Sequence, residues 1–256
     1  FAVHDLAWIR GHLPAAAVGV ANISSSMCCI GLWGPESRRV VQSVTEQDLS
    51  NEAFPYLTTQ RLMIGGIPCL ALRISYVGEL GWEIYCPPEF GLRLWDVLWH
   101  AGETFGVTAV GGGAFDSLRL EKGYRLWGAE VHTEVNPYQA GLAFAVRPDK
   151  GEFIGREALQ SVESKATGRR LTCITLDDPG AVVMGSEPIL DGDNLLGYVT
   201  SAGYGYSVGR CIAYGYLLPE YAVEGKRVEI EYFGRRYEAT VAREPLYDSE
   251  AARLKS

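Results

Sequence analysis

Apolar residues recur with two different periods along the first half of the chain, and the period separates the predicted helices from the predicted strands. A spacing of three to four positions predicts amphipathic helices over residues 5–13, 35–44 and 90–106. Strand-like runs bounded by turn residues lie between them, at residues 18–24, 27–34, 59–64, 67–75 and 81–86. Two consecutive glycines after the third run predict a hairpin that joins it to the fourth.

The pattern changes near residue 170. Before that point, the glycines at 111–113 precede a predicted helix that we expect Asp116 to cap. After it, short apolar strands alternate with turns, which predicts a small β-barrel or β-sandwich. The sequence therefore predicts an α+β fold with two domains, residues 1–168 and 169–256, divided in the polar stretch SKATGRR.

Composition and charge narrow the classes of partner. Because 31 acidic residues outnumber 23 basic ones and no Lys- or Arg-rich run is present, nucleic acid is excluded as a partner. No apolar run is long enough to cross a bilayer and no signal peptide is recognisable, so we expect no membrane association. Six cysteines occur without a C-x-x-C pair, which is typical of free thiols in a reducing compartment, and the expected location is cytoplasmic.

Common catalytic motifs are missing from the sequence. The four histidines have no metal-ligand spacing, so no metal site is expected. There is no G-x-S-x-G nucleophile motif, and the three glycines at 111–113 lack the spacing of a phosphate-binding loop. The candidate that remains is RISYVGELGWEIY, residues 73–85, in which two carboxylates lie within an apolar, glycine-cut strand.

Glu79 and Glu83 are these two carboxylates. A carboxylate among apolar neighbours is costly unless strong donors surround it. An internal arginine, Arg73 or Arg119, is one source of such donors. A ligand with two parallel N–H groups, such as the edge of a pterin, a guanine or an adenine-like ring, is the other. The residues alone leave both readings open.

The same stretch resembles the R-x-x-Y-x-G-E-x-G-x-E signature of the folate-binding aminomethyltransferase family. That family includes the T-protein of the glycine cleavage system and the C-terminal halves of dimethylglycine and sarcosine dehydrogenases and oxidases. The resemblance continues through LWGPESRRVVQSV, GGGAFDSLRLEKGYRLWGAEVHTEVNPYQAGLAFAV, TSAGYGYSVGR and EPLYD, so it covers essentially the whole chain. WGAEVHTEVNPYQAGLAFAV and TSAGYGYSVGR are more similar to the dimethylglycine dehydrogenase branch than to the free-standing T-protein.

The resemblance implies a multi-lobed folate-binding fold over residues 1–168, incomplete at its N-terminus, followed by the C-terminal barrel. It also implies tetrahydrofolate as cofactor. Glu83 is then the residue that holds the pterin edge, and Tyr76 lines the same pocket. By similarity to the dehydrogenase branch, Tyr56 and Thr59 also face the folate. Glu79 is then expected to pair inside the protein with an arginine.

Two departures from the family pattern stand out. Phe115 occupies the position at which the T-protein branch has an arginine before its D-S-L-R motif. The resemblance implies that the family's catalytic aspartate is to be expected upstream of Phe1, so no catalytic residue is assigned. Nothing resembles an FAD fingerprint, and FAD is implied only for a longer parent protein with a flavin domain.

The leading hypothesis is a tetrahydrofolate-dependent one-carbon transfer module that acts on a methylated amine or aminomethyl donor. A flavin domain or a lipoyl carrier protein is a possible partner. One alternative is a non-catalytic folate-binding regulatory or assembly protein on the same fold. Another is a demethylase that acts on a different methylated small molecule with the same cofactor.

Overall fold

A computed structural model describes residues 1–14, 19–163 and 168–256 of the chain. Backbone contacts divide it into two compact units. The first unit contains Phe1–Ser75, Glu79–Thr108 and Leu254–Ser256, and the second contains Tyr76–Gly78 and Ala109–Arg253. In the described part of the chain, no helix is both long and apolar enough to cross a membrane.

The first unit has four β-strands and three of the α-helices. In chain order these elements are α1 Ala2–Gly11, β1 Cys28–Trp33, α2 Ser37–Gln42, β2 Thr59–Ile64, β3 Ile67–Leu72, β4 Gly81–Cys86 and α3 Gly91–Gly102. The second unit has six β-strands and further short helices. They are α4 Gly112–Glu121, α5 Arg156–Glu163, β5 Arg170–Leu176, β6 Pro188–Asp191, β7 Asn194–Gly205, β8 Arg210–Leu217, β9 Arg227–Tyr232 and β10 Arg235–Ala242. The last helix, α6 Ala252–Lys255, begins in the second unit and ends in the first.

The strands of the first unit form one antiparallel sheet in the order β1-β4-β3-β2. β2 and β3 are the predicted hairpin, and it turns at Gly65 and Gly66, whose φ angles of 55° and 77° favour glycine. β4 lies between β1 and β3, so its backbone hydrogen bonds are satisfied on both edges. A central strand of this kind holds its side chains in a fixed register.

One face of this sheet forms the core of the first unit. Side chains from alternate strand positions, among them Leu62, Ala71 and Trp82, pack with Val41 of α2 and Leu94 of α3. All five are almost completely removed from solvent, and burial of apolar side chains is the main source of stability in such a core. The opposite face of the sheet, which we call the open face, carries the remaining alternate residues and stays partly exposed.

The second unit contains a closed antiparallel barrel in the strand order β10-β5-β8-β7-β6-β9. Closure removes the free edges that an open sheet of this size would expose. Apolar residues such as Ile174, Val199 and Ile230 fill the barrel. Helix α4 packs on β7, where the Ser117 hydroxyl donates to the Tyr204 carbonyl at 2.7 Å. The predicted barrel and the α+β class are confirmed.

Two local expectations were wrong. No strand forms over residues 19–23, where a short 3₁₀ turn follows, and Val18 lies outside the described residues. Asp116 does not cap α4: the helix begins after Gly111, and Asp116 lies one turn inside it, 3.8 Å from Arg119. Residues 164–167 of the predicted inter-domain stretch lie outside the described part, and the boundary between residues 168 and 169 stays a prediction.

Candidate functional site

The alternation of β4 decides where its glutamate points. Trp82, Ile84 and Cys86 are fully buried in the core of the first unit. Glu83 and Tyr85 therefore lie on the open face, and both are half-buried there. Glu83 is the only acidic residue in the four strands of this sheet.

The strand register places two predicted site residues in one row across the open face. Glu83 of β4 is paired with Leu72 of β3, and Leu72 is paired with Thr59 of β2. Thr59 and Glu83 are thus on the same face, two strand spacings or about 10 Å apart. On the other side of Glu83, its partner in β1 is Gly31.

Tyr85 holds one oxygen of the Glu83 carboxylate. The Tyr85 hydroxyl donates a hydrogen bond of 2.6 Å to Glu83 Oε2. This hydrogen bond, together with burial, raises the pKa of Tyr85, so the hydroxyl stays protonated and remains a donor. Since a carboxylate offers about four acceptor positions, one bond leaves most of them for other donors.

A cysteine lies beside Tyr85 on the neighbouring strand. Cys29 is the β1 partner of Tyr85, and its thiol is exposed on the open face. Partial desolvation raises the pKa of the Cys29 thiol, and the nearby Tyr85 side chain offsets part of that rise. Among the residues that the structure describes, no Lys or Arg side chain lies within 4.0 Å of a Glu83 oxygen.

Trp33 borders the site at the end of β1. Its Nε1 donates to the Ile74 carbonyl at 2.9 Å. The indole folds back along the strand, so that a Cβ atom added to Gly31 would lie 2.0 Å from one of its ring carbons. An aromatic ring therefore occupies the position directly across from Glu83.

Tyr56 lies in the loop that precedes β2 and is half-buried. The Arg73 side chain, 1% exposed, donates to the carbonyl oxygens of Phe54 at 2.6 Å and of Ser256 at 3.1 Å. Burial, followed by the charge of Arg38, lowers the pKa of Arg73, an effect that Tyr56 counteracts.

The C-terminal residues of the first unit meet two further polar side chains. Arg38 also donates to the Ser256 carbonyl, at 2.6 Å, and Asn51 donates to the Lys255 carbonyl at 3.0 Å. Arg38 and Asn51 are themselves joined by a hydrogen bond of 2.8 Å. The backbone carbonyls of Lys255 and Ser256 thus accept hydrogen bonds from the side chains of Arg38, Asn51 and Arg73.

Tyr76 groups with the second unit. Its ring stacks on Phe115 and Tyr124, with centroids 6.2 and 5.8 Å away, and its hydroxyl donates to the Arg125 carbonyl at 2.6 Å. Burial raises the pKa of Tyr76. Phe115, which departs from the family pattern, therefore supplies an aromatic contact to Tyr76.

The second candidate arginine, Arg119, pairs with a different carboxylate. Its Nη1 lies 3.0 Å from Glu130 Oε2, and both side chains are at most 3% exposed. Glu130 also accepts from Ser201, from Thr200 at 2.9 Å and from the Leu126 backbone N–H at 2.8 Å. This cluster satisfies a buried charge inside the second unit.

Two residues of the open face were not singled out from the sequence. Tyr85 was detectable, because a residue two positions after Glu83 in a strand shares its face. Trp33 shares a face with Gly31 for the same reason. The fold of its indole over Gly31 depends on a side-chain rotamer, which the linear sequence does not specify.

Comparison with known proteins agrees with this architecture. Residues 1–150 match the family model for the GCVT N-terminal domain, and residues 169–248 match the glycine cleavage T-protein C-terminal barrel domain. The crystal structure of the glycine cleavage system aminomethyltransferase T from Bartonella henselae aligns with 87% of this chain and 60% of its own, with a TM-score of 0.77 and 27% identity.

Sequence relatives include both branches of the resemblance. Human mitochondrial dimethylglycine dehydrogenase is 37% identical over 254 residues, which are 98% of this chain and 29% of that protein. An aminomethyltransferase from Desulfitobacterium hafniense is 31% identical over 237 residues, 93% of this chain and 64% of that protein. The chain thus spans less than two thirds of either relative. It belongs to the folate-binding aminomethyltransferase family of the glycine cleavage T-protein, to which the matching region of dimethylglycine dehydrogenase is homologous.

Proposed function

We propose that this chain is a tetrahydrofolate-dependent module that transfers a one-carbon unit. The observation that carries the proposal is the Glu83 carboxylate, which is displayed on the open face, bound by one internal hydroxyl and not neutralised by a described Lys or Arg. A half-buried carboxylate of this kind favours a ligand that brings its own N–H donors.

The residues around Glu83 fit a folate. The pyrimidine edge of a pterin offers parallel N–H groups, and a carboxylate that accepts two of them gains about 1.5–3 kcal/mol per charge-assisted bond. Trp33 and Leu72 supply apolar surface on either side of Glu83. We assign Glu83 to the pterin edge, and we assign Tyr56, Thr59 and Tyr76 to folate contacts, as the family resemblance implies.

In this role the chain binds and orients. When bound, tetrahydrofolate supplies the nitrogen nucleophile that takes up a one-carbon unit. Glu83 fixes the direction of the ring, and Tyr85 fixes the carboxylate by holding Oε2. Placement of reactants in a near-attack geometry can contribute up to about 7–11 kcal/mol to barrier lowering, so orienting residues of this type account for much of the catalysis that such a module needs.

The donor is proposed to be a methylated amine or an aminomethyl group. Support comes from the names of two relatives, dimethylglycine dehydrogenase and aminomethyltransferase. FAD and a flavin domain belong to the proposal only for a longer parent protein, and a lipoyl carrier protein is the alternative partner that we propose. A cytoplasmic location also stays a prediction, since the human relative is named as mitochondrial.

Isothermal titration with 5-formyltetrahydrofolate tests the proposal. The wild-type chain should bind, and Glu83→Gln should weaken binding at least about a hundredfold, because an amide NH₂ opposes the ligand's donors and the charge is lost. Glu52→Gln, an exposed carboxylate of the same unit, is the matched control and should bind like the wild type. Binding that is unaffected by Glu83→Gln would remove the basis of the proposal.

A folate-binding protein without transfer activity is the second candidate. It is favoured by the scarcity of acid–base groups: Glu83 is the only carboxylate in the four described strands of the sheet. Trapping of formaldehyde by tetrahydrofolate separates the two candidates. Acceleration by the wild-type chain over the uncatalysed rate supports transfer, whereas tight binding without acceleration supports the binding role.

A further inference from the structure

The indole of Trp33 rests on β1 in space that glycine residues provide. A Cβ added to Gly31 would lie 2.0 and 2.1 Å from two carbons of the six-membered ring, Cη2 and Cζ3. A Cβ added to Gly81 would lie 2.1 Å from the Leu32 carbonyl oxygen and 2.6 Å from Cδ1 at the other end of the indole. The ring therefore extends along the strand on the open face, from the level of Gly81 to the level of Gly31.

This position is held by a polar anchor. The indole N–H donates its hydrogen bond to the Ile74 carbonyl, so the ring presents carbon surface rather than a donor. Trp33 as a whole residue is half-buried. Gly31 itself has no left-handed φ that would demand glycine, so the reason for a small residue there is the ring above it.

The ring is also the direct neighbour of the carboxylate. Gly31 and Glu83 are opposite each other in the β1–β4 pairing. Side chains at such positions originate about 4.5–5.5 Å apart. A flat molecule whose edge is bound by Glu83 thus has one of its faces within reach of the indole.

We infer that Trp33 is a specificity-determining residue that stacks on the planar pyrimidine half of the heterocycle whose edge Glu83 binds. The inference rests on the proposed function and deepens it. Edge recognition by a carboxylate does not distinguish a ring from an open-chain amidine with the same N–H pair. Aromatic stacking distinguishes the ring from the open-chain amidine, because the stacking energy increases with the flat area in contact.

A double-mutant cycle in the full chain tests the inference, with 5-formyltetrahydrofolate as probe. Trp33→Leu removes the ring, and Gly31→Ala displaces it while leaving its chemistry intact. Each should weaken binding about tenfold. The double variant should bind about as weakly as Trp33→Leu alone, because displacing an absent ring costs nothing further. Trp95→Leu, which changes a tryptophan 42% exposed on α3, is the control and should bind normally.

Intrinsic fluorescence gives a second readout. Ligand binding should quench emission in the wild type, and Trp33→Phe should keep most of the affinity while losing most of the quenching. Circular dichroism and thermal melting establish that each variant is folded, and Gly31→Ala and Trp33→Phe carry the test if Trp33→Leu does not fold.

The outcomes separate the two claims. Wild-type affinity in both Trp33→Leu and Gly31→Ala, together with loss of binding in Glu83→Gln, would overturn the stacking role and leave the proposed function standing. Absence of binding by the wild type itself would overturn the proposed function and the stacking role with it. Additive losses in the cycle would show that Gly31→Ala acts independently of the ring and would also overturn the inference.

Discussion

Glu83 and Glu130 are two carboxylates in apolar surroundings that the fold treats in opposite ways. Glu130, in the second unit, receives a guanidinium, two hydroxyls and a backbone N–H. Glu83, on the open face of the first unit, receives the hydroxyl of Tyr85. The sequence context of a glutamate does not reveal this difference, because both lie among aromatic and aliphatic residues.

The contrast teaches how to separate structural from ligand-binding charge. A buried charge whose hydrogen-bonding positions are all occupied by protein groups helps to specify the fold. Removing one partner leaves the other charge buried and uncompensated, which destabilises the protein. A charge that keeps free acceptor positions on an accessible face has little effect on folding. Its removal should instead weaken the binding of a ligand.

The largest effect is expected from breaking the internal pair. Arg119→Met leaves Glu130 buried without its cation and should lower the free energy of unfolding by about 3–5 kcal/mol. Urea denaturation followed by circular dichroism measures this. Arg235→Met removes a guanidinium from an exposed pair with Asp178 and should leave the unfolding curve nearly unchanged.

The same substitution at the two carboxylates sharpens the contrast. Glu130→Gln should cost about 2–3 kcal/mol of stability, since it weakens charge-assisted bonds in a buried site. Glu83→Gln should change the free energy of unfolding by less than about 1 kcal/mol, because its position is accessible. Equal losses in the denaturation experiment would mean that Glu83 is also a structural charge.

Asp248 provides a third carboxylate, with a pH dependence. Burial alone would raise the pKa of Asp248, but hydrogen bonds from Lys122 and from the Ala252 and Arg253 N–H groups lower it. A lowered pKa gives stability that is present above the unfolded value near 3.9 and is lost as pH falls through the folded value. Asp248→Asn should therefore cost about 1–2 kcal/mol at neutral pH.

Thermal melting across pH checks that expectation. The difference in stability between the wild type and Asp248→Asn should shrink steadily as the pH falls below about 4. A difference that stays constant down to pH 2 would show that the charge of Asp248 does not contribute.

The smallest effect concerns Tyr85. Tyr85→Phe removes the donor to Glu83 and should weaken folate binding about threefold to tenfold with little change in stability. Isothermal titration of Tyr85→Phe with 5-formyltetrahydrofolate measures the affinity, and urea denaturation measures the stability. Wild-type affinity in Tyr85→Phe would show that the hydrogen bond to Oε2 does not help to orient the carboxylate.

Much of the architecture was predictable because it depends on local periodicity. The alternation over residues 81–86 places Glu83 on the other face of the sheet from the buried Trp82, and Gly65 and Gly66 mark the hairpin turn. The strand expected at 18–24 is absent from residues 19–23, because a few apolar residues do not make a strand without a partner.

The surroundings of Glu83 were less predictable, for two physical reasons. Strand order is a long-range property, so the neighbours Gly31 and Leu72 could not be inferred from spacing. The position of the Trp33 indole depends on a rotamer that the missing side chain of Gly31 permits. The partner of Arg119, the buried Glu130, likewise emerged only from tertiary structure.

The last three residues of the chain affect how the first unit can be produced as a separate fragment. Leu254–Ser256 belong to the first unit, where Arg73 and Arg38 converge on the Ser256 carbonyl. A recombinant fragment cut after Thr108 would deprive an almost fully enclosed guanidinium of acceptors and should be recovered in poor yield. Attaching Leu254–Ser256 to this fragment through a flexible linker, or circular permutation, should therefore allow the first unit to be isolated.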